Sequence, residues 1–147
     1  MKRSRAAIVA CAAVLCGCTA AGESFMTEIR GDVWSEPVEV AVPNSDTLGV
    51  CDMNIALRHD GRATGRRVAM TVKTVTPDSL WVEEPLTMTP GDDGRSRSAQ
   101  HEASCAYRLG VRFARTGTYR IIITPTRPVQ GVTAVGVDVA RRPQNQK

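Results

Sequence analysis

Apolar side chains recur at every second residue along most of this chain, in short runs broken by proline, glycine, asparagine and aspartate, and no segment sustains the three-to-four spacing of a helix. Around Leu48–Arg58 the pattern is sharpest. Cys51, Met53, Ile55 and Leu57 share one face, while Asp52, Asn54 and Arg58 share the other. A period of two marks a strand with one buried side. Val68, Met70 and Val72 alternate with Ala69, Thr71 and Lys73; Ala103, Cys105, Tyr107, Leu109, Val111 and Phe113 alternate in the same way. Leu80-Trp81-Val82 and Leu86-Thr87-Met88 flank Pro85, which a strand tolerates at a sheet edge or a bulge. Tyr119–Ile123 and Val132–Val139 supply further runs, and Val33-Trp34 opens the series. The breaks fall at His59-Asp60-Gly61, Thr76-Pro77-Asp78-Ser79, the polar stretch 90–98, Thr116-Gly117 and Pro128–Gly131. About seven to eight short strands at intervals of about ten residues predict an all-β chain folded as a single antiparallel β-sandwich.

The start of the chain has a different character. Basic Met1-Lys2-Arg3-Ser4-Arg5 precedes an apolar run over residues 6–14, followed by Leu15-Cys16-Gly17-Cys18. A charged start, a short apolar segment and small residues at a cleavage point form a secretory signal. The run is shorter than the roughly 20 residues that span a bilayer. A cysteine directly after Leu-x-Gly resembles the lipobox of bacterial lipoproteins, in which that cysteine is acylated and becomes the new N-terminus; the plainer alternative is an ordinary cleaved signal with a cysteine nearby. The expected organisation is a cleaved signal over residues 1–17, a lipidated tether over 18–32 beginning at Cys18, the sandwich over 33–142 and a polar tail over 143–147. Stable anchoring needs two or more acyl chains. The expected location is the bacterial cell envelope, anchored in the outer membrane.

Cleavage also changes the charge. The chain carries 19 basic and 15 acidic residues. Lys2, Arg3 and Arg5 leave with the signal, so 19 less 3 gives 16 basic residues against 15 acidic ones. A near-neutral domain lacks the basic excess of nucleic-acid binders. Of the five cysteines, Cys11 and Cys16 leave and Cys18 takes the lipid, so Cys51 and Cys105 remain. An oxidising compartment permits a disulfide between them, and both fall on inward strand positions. The alternative is a pair of buried free thiols acting as small apolar groups.

Catalytic signatures are missing. No Gly-x-Ser-x-Gly or Ser-x-x-Lys pattern occurs, and His59 and His101 are the only histidines. His59 falls in an expected hairpin turn and His101 follows a polar loop, so both read as solvated turn residues. Glu83 and Glu84 are adjacent on a strand and point to opposite faces, which excludes a paired-carboxylate site. Asp92-Asp93-Gly94 lacks the spacing of a calcium loop. Trp34 and Trp81 read as core or core-edge residues, with a sugar-stacking platform as the alternative. These readings point to a non-enzymatic chain with no cofactor, no metal and no evident small-molecule substrate.

One resemblance goes further. Phe113, three residues, then Gly117-Thr118-Tyr119 and a strand, followed by Arg127 and Val129-Gln130-Gly131-Val132-Thr133-Ala134-Val135-Gly136-Val137, resembles the ending of the GldH-type gliding-motility lipoproteins of Bacteroidetes. Trp34 soon after the lipobox, Asp46-Thr47 before a strand and Leu57-Arg58-His59 at its end resemble the same family, across most of residues 34–140. The chain departs from that pattern at Gly65-Arg66-Arg67-Val68-Ala69-Met70 and at Thr126-Arg127-Pro128. The resemblance implies an envelope component associated with gliding and type IX secretion, acting through protein partners. The alternative function is a surface carbohydrate-binding or adhesin-like sandwich.

Overall fold

The computed structural model describes residues 22–91 and 99–144. Ten strands follow in chain order: β1 (Gly22–Glu28), β2 (Val33–Trp34), β3 (Val38–Asn44), β4 (Cys51–His59), β5 (Val68–Val75), β6 (Trp81–Met88), β7 (His101–Val111), β8 (Gly117–Pro125), β9 (Val129–Gln130) and β10 (Val132–Arg141). One four-stranded sheet has the order β1-β10-β4-β7 and a second has the order β3-β8-β5-β6; β2 and β9 pair separately. All the pairings are antiparallel. The chain is an antiparallel β-sandwich.

Alternation builds the core. Val38, Val40 and Val42 of β3 and Tyr119, Ile121 and Ile123 of β8 point inward from one sheet, toward Met53, Ile55 and Leu57 of β4 and Val135, Val137 and Val139 of β10 from the other. Each such side chain contributes about 1.5–3 kcal/mol when fully buried. Trp34 is the largest of these groups, at 1% exposure, and its indole N–H donates to the Glu36 carbonyl at 2.9 Å. Pro85 sits mid-strand in β6, at the open edge of its sheet, as its missing N–H requires.

The stretch expected to be a tether is partly a strand. Gly22–Glu28 pairs with β10 from Ala140 to Ala134, and Phe25 and Ile29 pack against the core. The domain therefore begins by residue 22, eleven residues before the expected boundary at 33. The apolar content of 22–28 is too thin to declare a strand, and the unpaired edge of β10 supplies the reason for one. Cys18 and the rest of the lipobox, the Asp92-Asp93-Gly94 loop and residues 145–147 lie outside the described residues.

Register gives the sandwich two distinct ends. Gly22 lies opposite Ala140 and Cys51 opposite Arg141 at one end, where β3 also leaves at Asn44 opposite Gly117, and β5 leaves at Val75 opposite Trp81. We call this the proximal end. At the other, distal end Val132 lies opposite His59, His59 opposite His101, and Val68 opposite Met88. A ten-residue strand such as β10 separates the ends by about 30 Å.

Candidate functional site

At the distal end gather the connections 29–37, 60–67 and 126–131, with the described flanks 89–91 and 99–100 of a fourth. Gly131 locks two of them together. Its N–H donates to the Asp32 carbonyl at 2.6 Å, and its carbonyl accepts from Asp60 N at 2.9 Å. Gly131 adopts φ +83°, and a Cβ there would meet Arg62 Cβ at 2.9 Å, so the position suits glycine alone. Arg62 bridges the same connections, with Nη2 2.8 Å from Asp32 Oδ2 and 2.7 Å from Asp60 Oδ2. The Arg62 side-chain hydrogen bonds hold the Asp60 carboxyl below the usual carboxylate range.

His59 is not the solvated turn residue the sequence predicted. It closes β4 at 0% exposure, its ring stacks on His101 at a centroid separation of 5.4 Å, and its Nδ1 accepts from Gly61 N at 3.1 Å. The turn begins one residue later, at Asp60, so the alternation of β4 carries His59 inward. Among the described residues, no three His, Cys, Asp or Glu side chains gather as a metal-holding group.

Beside this end opens a groove of about 550 Å³ lined by Val33, Arg66, Arg67, Val68, Ala69, Arg127, Pro128, Val129 and Gln130. Three guanidinium groups reach it from positions sixty residues apart. Arg66 and Arg67 precede β5, with Gly65 N donating to the Pro90 carbonyl at 2.7 Å and Arg66 N to the Ala63 carbonyl at 3.1 Å. Arg127 follows β8, and both the N–H and the hydroxyl of Thr126 donate to the Ala69 carbonyl, at 3.0 and 3.1 Å. These bonds fix both arms of the groove.

The contrast with the other arginines is informative. Arg58, Arg62, Arg108, Arg115, Arg120, Arg141 and Arg142 each face a carboxylate: Glu102, Asp32 with Asp60, Glu84, Asp78, Glu39, Asp46 and Asp52 respectively. Among the described residues Arg66, Arg67 and Arg127 have no ion-pair partner, and no acidic residue lines their groove. In the sequence Arg66-Arg67 and Arg127 stand apart as separate loop arginines. Only the β5–β8 pairing makes them one surface.

The proximal end is chemically different. Of six exposed large apolar side chains among the described residues, Leu48, Leu80, Trp81, Val82 and Leu109 lie toward this end, and only Val33 is distal. Leu48 is the most exposed, at 76%, beside Val50, Arg112, Arg142 and Pro143. Trp34 and Trp81 part company here. Trp34 is core, whereas Trp81 is 63% exposed, opposite Val75 in register and with Lys73 Nζ 4.4 Å from its ring centroid.

The expected disulfide fails on register. Cys105 lies opposite Ile55 and Cys51 opposite Val111, in neighbouring strands of one sheet. Four residues along β4 separate the two positions, or about 14 Å, twice the Cα reach of a disulfide of about 7 Å. Both cysteines are free thiols, and burial pushes each thiol pKa up. Alternation fixes which face a residue takes, and both thiols do face inward; position along the strand is set by register, which the sequence pattern leaves open.

The Phe-x3-Gly-x-Tyr motif proves to be a corner. The Phe113 and Tyr119 rings sit 4.6 Å apart, Arg115 N donates to the Tyr119 hydroxyl at 3.1 Å, and Asn44 Nδ2 donates to the Phe113 and Arg115 carbonyls at 3.3 and 2.9 Å. Its residues hold the β7–β8 connection.

No protein-family profile matches the sequence, and no curated protein matches it. Among solved structures, a chain in the structure of infectious bursal disease virus Gx strain aligns at 10% identity and a TM-score of 0.33, over 86% of this chain and 33% of that one. This chain thus spans about a third of the viral chain. Among the described residues no helix is long and apolar enough to cross a membrane.

Proposed function

We propose that the chain is a lipid-anchored envelope protein of the gliding-motility and type IX secretion-associated kind, attached through Cys18 and acting by binding other envelope proteins rather than by catalysis. The observation that carries this reading is the polarity of the sandwich. The chain reaches the domain at Gly22, four residues after Cys18, on the end that exposes Leu48, Leu80, Trp81 and Leu109. An aromatic ring with an ammonium group beside it, as at Trp81 and Lys73, suits a membrane–water boundary. The groove arginines Arg66, Arg67 and Arg127 face away, at the end a partner reaches.

The test is crosslinking in cells from a photoreactive group at position 127, followed by mass spectrometry, alongside secretion and motility assays of a deletion strain. Recovery of envelope proteins of the secretion or gliding apparatus supports the reading. A normal deletion strain with no such crosslink overturns it. A second reading, a carbohydrate-binding sandwich, is favoured by the exposed Trp81 ring. It predicts glycan-array signal that Trp81→Ala abolishes, and a blank array removes it.

A further inference from the structure

The groove at the distal end has a definite chemical preference. Guanidinium groups recognise carboxylates and phosphates through paired N–H donors, and Arg66, Arg67 and Arg127 bring three of them to one surface with no carboxylate to neutralise them. Seven of the twelve described arginines are engaged by acidic side chains; of the other five, Arg66, Arg67 and Arg127 share this groove, while Arg30 and Arg112 lie outside it. The surface is also apolar in part, because Val33, Pro128 and Val129 line the same space. The short β2–β9 pair presents Val33 opposite Gln130, so apolar and polar side chains line the same groove. Phosphate sites lean on backbone amides at helix N-termini or glycine-rich turns. None of the strand and loop segments lining this groove is a helix, and the backbone N–H of Thr126 is already used by Ala69.

We propose that this groove seats an acidic polypeptide segment, in which carboxylates alternate with apolar side chains. The inference rests on the protein-binding reading above and names the partner's contacting chemistry. Aspartate or glutamate carboxylates pair with Arg66, Arg67 and Arg127, while intervening apolar groups cover Val33, Pro128 and Val129. The backbone bonds that fix Arg66 and Thr126 keep the two arms in place before the segment arrives, so less ordering opposes binding.

The full chain in detergent is titrated with a fluorescent synthetic peptide of alternating aspartate and leucine, followed by anisotropy at low and high salt. The expected result is saturable binding that weakens with added salt. Replacing aspartate by asparagine in the peptide removes it. Arg66→Gln and Arg127→Gln each weaken binding about fivefold or more, whereas Arg112→Gln, at an arginine of the proximal end without an ion-pair partner, leaves it unchanged. No binding, or binding equally strong in the Arg66→Gln/Arg127→Gln double variant, overturns the inference. So does pyrophosphate that displaces the peptide and binds through the same arginines more tightly than the peptide does. An unchanged melting midpoint in each variant separates lost contacts from lost folding. The two proposals fail separately: a peptide that does not bind removes the acidic segment, while absent envelope crosslinks remove the cellular reading and leave the peptide result standing.

Discussion

At the scale of single residues, the fold depends on close approaches that a sequence pattern does not display. Gly136 of β10 passes directly under β1, where an added Cβ would meet the Phe25 carbonyl oxygen and lie 2.7 Å from Met26 Cα. Gly136→Ala is expected to cost about 1–3 kcal/mol through overpacking, measured by chemical denaturation. An unchanged midpoint would show that β1 can shift without loss. The thiols offer a second check. Denatured mature protein without reductant should titrate both Cys51 and Cys105 as free, and in the native state both should react slowly with alkylating reagents near neutral pH, because burial holds each thiol protonated. A mass two units lower, restored by reductant, would contradict the register. At His59 the neighbours Asp60 and Gly61 signal a turn, yet alternation from Ile55 and Leu57 carries straight through to it.

At the scale of elements, β4, β5, β7, β8 and β10 were legible because each alternates with one face in the core. β6 was legible too: Pro85 pointed to an edge or a bulge, and the sheet order makes it an edge. β1 was not, because its apolar residues are only Phe25 and Met26, and its pairing is dictated by β10. Pairing between distant segments likewise hid the groove, since Arg66-Arg67 and Arg127 are ordinary loop arginines until β5 meets β8. Deleting residues 22–28 should therefore lower the melting midpoint by several degrees and expose the edge of β10, an apolar strand open to pairing. Light scattering after size-exclusion chromatography should then report association beyond that of the intact domain. A monomeric truncation of unchanged stability would mean that β1 merely lies on the sheet.

At the scale of the whole molecule, four surface carboxylates are shifted in the same direction. The Asp46 carboxyl is lowered mainly by the amides of Gly49 and Leu48, Asp52 by Arg142, Asp60 by Arg62 and Asp78 by the Thr76 hydroxyl. A carboxyl lowered on folding stabilises the folded state above its ordinary value, and that contribution disappears as pH falls through the lowered value. The melting midpoint should hold from neutrality to about pH 5 and drop progressively below about pH 4. Each contribution is modest because the groups reach solvent, and a midpoint rising with acid would refute the assignment. The β1–β10 ladder also has a mechanical consequence. Gly22 begins β1 at the proximal end while the arginine groove lies at the distal end, so tension between the N-terminus and a bound partner runs parallel to β1. Strands pulled along their length slide against each other, and the whole seven-residue register from Gly22 to Glu28 resists at once. Had the chain entered from the distal end, the same bonds would open one after another, like a zip.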